Sequence, residues 1–255
     1  MPTRTAIVTG GLTGIGLAAA KTLKDKGHHV AVCGRRGDDP DLITDVRRAI
    51  GDDAFIGVAD VRDQDSVDGF VSQVRDALGP PLILVNAAGV YHESFLDGPD
   101  DSTWFDQIDI NLNGPYRMIR AVYPDMKQAG WGRIANIAST AGAKGAAGYA
   151  GYCASKAGVI GLSKSVAVEG APYGISCISL SPTWVETPMM DNAVQRIARA
   201  KGAAPQSIRD AMNTTNPQNR LVQPSEIAAV VGFFCSNEAP AMTNVDIQIN
   251  AGADW

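Results

Sequence analysis

Thr9-Gly10-Gly11-Leu12-Thr13-Gly14-Ile15-Gly16 is a glycine-rich turn set between two patterned stretches. Before it runs the apolar segment Thr5-Ala6-Ile7-Val8; after it comes 15–26, in which Ile15, Ala18, Ala19 and Leu23 share one helical face. The order is strand, tight turn, helix. Glycines let such a turn fold back sharply, approach a pyrophosphate closely and pack helix on strand. The helix start offers unpaired N–H groups and a partial positive charge to phosphate oxygens. Gly10, Gly14 and Gly16, with Thr13 and Ile15 between them, give T-G-x-x-x-G-x-G rather than the general G-x-G-x-x-G. The competing reading is a tight turn with no ligand.

Outward from this turn the same alternation continues. Short apolar runs at 5–9, 29–33, 54–58, 82–85, 132–138, 176–180 and 244–249 predict strands. Several are continuous rather than alternating, as expected of parallel strands buried on both faces. Helical periodicity separates them; in 66–78, Val67, Phe70, Val71, Val74 and Leu78 line one face. Helix starts are expected at Asp63 and at Ser225 after Pro224, and stops at Gly27, Gly79-Pro80 and Gly130. The pattern predicts an α/β fold, a doubly wound, mostly parallel, seven-stranded sheet with helices on both faces. Without an interdomain linker, residues 1–255 read as a single domain. Residues 189–215 interrupt the rhythm with helix-like sequence, which suggests a lid or an extra surface helix.

The chain has 255 residues and a formal net charge of −5, from 22 basic and 27 acidic residues. This balance gives no electrostatic reason to expect nucleic acid or an anionic membrane as partner. Cys33, Cys153, Cys177 and Cys235 form no C-x-x-C pair, so no metal site or disulfide framework is expected. The start lacks a signal-peptide layout, and no apolar stretch approaches the ~20 residues of a membrane span. A cytoplasmic location is expected.

The second strand ends in Val32-Cys33-Gly34-Arg35-Arg36. A carboxylate at its tip would grip the ribose of NAD. Here two arginines follow instead, and a guanidinium can grip a 2′-phosphate with paired charged hydrogen bonds. NADP is therefore favoured, with NAD the alternative because Asp38 and Asp39 lie close by.

Tyr152-Cys153-Ala154-Ser155-Lys156 sets a phenol and an ammonium four residues apart in a segment that continues helically to about Ala171. Such residues are neighbours on a helix face. A nearby ammonium, together with an oxidised nicotinamide ring, would favour the phenolate and lower the phenol's pKa. The phenol could then give a proton to a carbonyl oxygen or take one back. Ser139 ends the apolar strand Ile134-Ala135-Asn136-Ile137-Ala138, at the carboxyl edge where open α/β sheets bind ligands. Its hydroxyl could hydrogen-bond the substrate oxygen; a turn-capping role is the alternative. Asn111 is a poor helix former placed within a helix, which a buried or water-binding role would explain.

With these residues in order, the sequence resembles the short-chain dehydrogenase/reductase family, in its compact single-domain branch. The likeness rests on the turn at 10–16, Asp60-Val61, Asn86-Ala87-Ala88-Gly89, Asn111, Ser139, Tyr152 and Lys156. It implies an enzyme that moves a hydride between NAD(P) and a ketone or secondary alcohol. Lys156 would also hold the nicotinamide ribose, and Asn111 would support a water for proton relay. Asp60 and Val61 would contact adenine; Asn86, Ala87 and Gly89 would flank the cofactor. In Ser181-Pro182-Thr183-Trp184-Val185-Glu186-Thr187-Pro188, Val185 and Thr187 would hold the carboxamide beside Pro182. The family pattern has glycine where Thr183 stands, which bears on local pocket shape rather than on the chemistry. The ending 250–255 is likewise a variant of the usual one.

Tyr91, His92, 141–151, Trp184 and 189–215 are expected to border the substrate, with Ser139, Tyr152, His92 and Trp184 touching it. Their mixed small, apolar and aromatic character suggests a small or moderately apolar ketone. The stretch 130–190 most resembles 3-oxoacyl reductases and ketoreductases, with an NAD-dependent secondary-alcohol, sugar or hydroxy-acid dehydrogenase as the alternative. Lys144, Arg196, Lys201 and Arg209 could meet a carboxylate or an acyl carrier, or be solvated charges. The resemblance further implies a homotetramer. The different-class alternative is a nucleotide-sensing or scaffold protein without turnover, against which the complete Asn–Ser–Tyr–Lys set argues.

Overall fold

A computed structural model describes residues 2–98 and 100–253; of the variant C-terminal ending, Asp254 and Trp255 lie outside the described residues. In chain order the elements are β1 (Thr5–Thr9), α1 (Gly14–Asp25), β2 (His29–Gly34), α2 (Pro40–Ile50), β3 (Phe55–Val58), α3 (Gln64–Leu78), β4 (Pro81–Asn86), α4 (Ser102–Ile108), α5 (Gly114–Ala129), β5 (Gly132–Ile137), α6 (Ala150–Gly170), β6 (Ile175–Pro182), α7 (Pro188–Lys201), α8 (Pro205–Thr215), α9 (Pro224–Phe234) and β7 (Val245–Ile249). All seven strands pair in parallel, in the order β3-β2-β1-β4-β5-β6-β7. The order reverses between β1 and β4, whose carboxyl ends are where a doubly wound sheet opens a crevice.

The continuous apolar strands are explained by cover on both faces. One core joins Val8, Val32, Val85 and Leu180 to Leu23 of α1 and Val231 and Phe234 of α9. The other joins Ile7, Leu84 and Ile134 to Phe70 of α3 and Met118 and Val122 of α5. The expected strands are all present, each within two residues of its expected bounds; β6 is longer, running to Pro182.

Local chemistry sets the helix ends. Asp63 caps α3, its carboxylate accepting from the Asp65 amide at 3.0 Å. Helix α9 starts at Pro224, one residue before the expected Ser225, because Gln223 and Glu226 form a reciprocal capping box. Gly27, Gly79 and Gly130 end or follow their helices with positive φ, as the expected stops require.

The stretch 189–215 resolves into two helices, α7 and α8, separated at Gly202, which adopts the left-handed conformation. They close a third apolar cluster of their own, built on Met190, Val194, Ile208, Met212 and Leu221, with Trp184 packed against it. The segments that flank the pair, before α7 and after α8, meet in a short parallel bridge between Val185 and Val222.

Candidate active site

The turn after β1 folds as its glycines dictate. Gly10 and Gly14 have φ of 63° and 55°. A Cβ on Gly16 would lie 2.3 Å from the Gly10 carbonyl oxygen, so the helix can start this close to the turn only without one. Thr13 is the N-cap of α1 but makes no side-chain cap, and the first turn holds no acidic residue. The leading amides are therefore uncapped and suited to an anion, which is the observation that fits a dinucleotide here. A Cβ on Gly14 would meet the Thr187 methyl at 3.3 Å, so the turn faces the segment after β6.

Ser139 and Tyr152 meet at the carboxyl end of β5. Ser139 caps a short 3₁₀ turn, Thr140–Gly142, with its Oγ accepting from the Ala141 amide at 3.1 Å. That turn packs on α6: a Cβ on Gly142 would touch the backbone of Lys156 and Ala157. The contact sets Ser139 and Tyr152 side by side on one cleft. Burial holds the phenol above its ordinary pKa, with the nearby Ser139 hydroxyl pulling the other way.

Lys156 lies one turn along α6 and is 6% exposed. Its Nζ donates to the Ile137 carbonyl at 2.8 Å and lies 5.7 Å from the Tyr152 ring centroid. Burial pulls the ammonium down to about 8. The expectation that this ammonium lowers the phenol's pKa is corrected here: the lysine is directed at a backbone carbonyl, and desolvation governs both groups.

Asn111 sits in the middle of a π-helical turn, Asp109–Asn113, between α4 and α5. Such an insertion is common at functional sites. Its amide holds the Val90 backbone by both polar groups and also donates to Ser155 Oγ at 3.1 Å. A Cβ on Gly89 would fall 3.2 Å from Asn111 Oδ1 and 3.7 Å from Lys156 Nζ. Asn111 and Lys156 thus face the same glycine.

A cleft that encloses about 1000 Å³, mouth included, joins Ile15, Ala87 and Gly89 on one side to Ser139, Tyr152 and Lys156, with Pro182, Trp184, Val185 and Thr187 opposite. The Thr187 hydroxyl caps α7, accepting from the Met190 amide at 3.3 Å. The remaining expected cofactor residues lie outside this cleft. Arg35 and Arg36 are exposed at the end of β2. Asp60 is held in a bidentate pair by Arg62, which also reaches Asp106, and this keeps the Asp60 carboxyl below its ordinary pKa. Val61 is buried against Gly114. Asn86 turns its side chain into the sheet, donating to Asn136 Oδ1 at 2.8 Å.

Two substrate expectations change. His92 is exposed and borders a separate groove beside Arg62 and Asp106, because the chain alternates and Tyr91 is the residue that faces the cleft. Arg196 and Arg209 are engaged within the protein: Arg196 donates to the Tyr91 carbonyl at 3.2 Å, and Arg209 bridges Glu186 and Asp191. Tyr149 falls within 141–151, the stretch expected to border the substrate, and lines the cleft; its ring stacks on Tyr91 at 4.7 Å, and its hydroxyl donates to Glu93 at 3.1 Å. Thr183, the departure from the family pattern, donates to Asn216 Oδ1 at 3.1 Å and so ties the segment after β6 to the end of α8. Among the described residues no group of three or more His, Cys, Asp and Glu could hold a metal ion, and no helix is long and apolar enough to cross a membrane.

The family model for short chain dehydrogenases matches residues 4–198. The chain belongs to the short chain dehydrogenase family, and it is an oxidoreductase acting on C=O and CH–OH groups. It is 37% identical to the protein described as ketoacyl reductase of the monensin polyketide synthase from Streptomyces virginiae, over 98% of this chain and 96% of that one. It is 34% identical to the 3-oxoacyl-[acyl-carrier-protein] reductase FabG of Pseudomonas aeruginosa, with coverage of 98% and 96%. An actinorhodin polyketide ketoreductase crystallised with NADPH superposes with a TM-score of 0.93 at 33% identity, covering 98% of this chain and 97% of that one. A nicotinamide cofactor is in keeping with all of these.

Proposed function

We propose that the protein is an NADP(H)-dependent ketone reductase in which Asn111, Ser139, Tyr152 and Lys156 carry the chemistry. The observation that carries the reading is the convergence of Ser139, Tyr152 and buried Lys156 on one cleft that Gly89 and Ile15 also line. When bound, the nicotinamide supplies the hydride for the carbonyl carbon. Tyr152 donates its phenolic proton to the carbonyl oxygen, and the Ser139 hydroxyl holds that oxygen in place. A phenol kept above its ordinary pKa stays protonated at neutral pH, which suits reduction. Lys156 holds the ribose hydroxyls and, with water supported at Asn111, returns a proton to Tyr152.

Gly10, Thr13, Gly14, Ile15 and Gly16 would receive the pyrophosphate on the uncapped start of α1. Asp60 and Val61 would flank adenine, Asn86, Ala87 and Gly89 the central cofactor, and Pro182, Val185 and Thr187 the carboxamide. Arg35 supports the NADP assignment. Gly34 occupies the tip of β2, and among the described residues no carboxylate forms an ion pair with Arg35. Asp39 is engaged as the cap of α2, and Asp60 by Arg62. We read the chain as one domain in which α7 and α8 form a lid over the substrate, assembled as a homotetramer in the cytoplasm; four unpaired thiols accord with that compartment.

The test is NADPH oxidation with a panel of ketones by wild type and Tyr152→Phe. A loss of about 10²–10⁴-fold in kcat with cofactor binding retained is expected. Equal rates would remove the mechanism, and cofactor binding without turnover on any ketone would favour a sensor.

A further inference from the structure

The substrate side of the cleft is walled by rings. Tyr91 and Tyr149 stack at 4.7 Å with their planes 6° apart, forming one slab. Tyr152 stands nearly perpendicular to Tyr91 at 4.9 Å, and Trp184 does so at 5.9 Å. Small side chains, Ala141, Ala146 and Ala193, leave space between the rings, and Met189 and Met190 of α7 border it.

These walls are held from behind. Glu93 accepts from the Tyr149 hydroxyl at 3.1 Å, Arg196 donates to the Tyr91 carbonyl at 3.2 Å, and the Arg196 guanidinium lies 5.5 Å from the Tyr91 ring centroid. Trp184 is fixed against the α7–α8 cluster. Aromatic side chains have two rotatable bonds, and anchored in this way they keep their shape rather than moulding to a flexible guest.

Charge is scarce in the same space. Among the described residues, Lys156 is the only charged one lining the cleft, and its ammonium is engaged with the Ile137 carbonyl. Arg209 is paired with Glu186 and Asp191, and Arg196, which does not line the cleft, gives Nη1 to the Tyr91 carbonyl and lies 4.0 Å from Glu93. A carboxylate or phosphate placed against the rings would lose its water without gaining a counter-charge.

We propose, resting on the reductase reading above, that the cleft selects a neutral, flat, ring-bearing ketone over a carboxylate-bearing or flexible linear one. The rings offer offset and edge-to-face contacts that a saturated chain does not match. A rigid guest also loses little conformational freedom on entry.

The experiment measures kcat/KM for four ketones with NADPH: 2-indanone and 2-nonanone, which have the same carbon count, and ethyl acetoacetate and acetoacetate, which differ in charge. Wild type is expected to favour 2-indanone over 2-nonanone by at least about 10-fold, and the ester over the anion by at least about 10-fold. Because the two ketones differ in intrinsic reactivity, the indanone-to-nonanone ratio is also measured in Tyr91→Leu and Trp184→Leu. It is expected to fall several-fold in each, mostly through KM, whatever happens to absolute rates. Near-equal use of the ring and chain ketones by wild type, equal use of ester and anion, or a ratio unmoved in both variants would overturn the proposal. Turnover without these preferences defeats this proposal alone. An absence of NADPH oxidation with all four ketones, or rates unchanged in Tyr152→Phe, defeats the reductase reading and this proposal with it.

Discussion

Asn111 holds Val90 by both its backbone groups, donating from Nδ2 to the carbonyl at 3.0 Å and accepting from the amide at 2.8 Å. Asn111 is 1% exposed and Val90 is half-buried, so the amide is the partner of both Val90 groups from the protein side. Val90 links Gly89, which faces Lys156, to Tyr91, which faces the substrate. Asn111→Ala is expected to cost about 1–3 kcal/mol of stability, the penalty of leaving part-buried backbone groups without their partner. It should also lower kcat more than it raises KM. Urea unfolding and steady-state kinetics check both; an unchanged unfolding midpoint would show that the clamp is not needed.

Arg35 and Arg36 follow a strand tip that ends in Gly34 and carries no carboxylate. Arg35→Ala is expected to raise KM for NADPH about 10-fold or more and to change KM for NADH less than about 2-fold. A paired charged contact to phosphate is worth roughly 1.5–3 kcal/mol, which sets that scale. Equal changes for the two coenzymes would refute contact with the 2′-phosphate.

The buried Lys156 ammonium has its pKa lowered to about 8. It is charged below that value and neutral above it, so reduction is expected to slow as pH rises through about 8. The sign for stability is the opposite: the unfolded chain binds this proton more tightly, so the penalty of burying the charge is largest below about pH 8. It is relieved as pH climbs toward the ordinary lysine value. A reduction rate that stays flat to pH 10 would separate Lys156 from the rate-limiting chemistry.

Arg209 on α8 bridges Glu186, just before α7, and Asp191 in its first turn. Arg209→Ala is expected to loosen the helix pair while leaving the sheet intact. Limited proteolysis should quicken near Gly202, and substrate KM should rise with little change in overall melting temperature. Partly exposed pairs contribute about 1 kcal/mol or less, so the effect belongs to the helix pair rather than to the whole fold.

The sheet was legible because its five inner strands are buried on both faces, so apolar runs mark them without help from distant residues. Ser139, Tyr152 and Lys156 were legible because a strand end and one helical turn place them. The rest required contacts between distant segments. Arg196 and Tyr91 are 105 positions apart, and Tyr149 and Glu93 are 56 apart, so no local pattern announces their contacts. His92 was misplaced because two adjacent residues compete for one cleft-facing position, and only the packed chain shows that Tyr91 holds it. The direction of the Tyr152 shift was also hidden: sequence shows the ammonium's proximity but not that the ammonium is turned toward Ile137.

Helices α7 and α8 close an apolar cluster that shares no buried residue with the two cores beside the sheet. Substitutions inside that cluster can therefore reshape the cleft's outer border without perturbing the glycine turn or the proton-carrying groups. Descent with altered substrate preference has an obvious route here: the helical pair can diverge as a block while the hydride-transfer apparatus stays fixed.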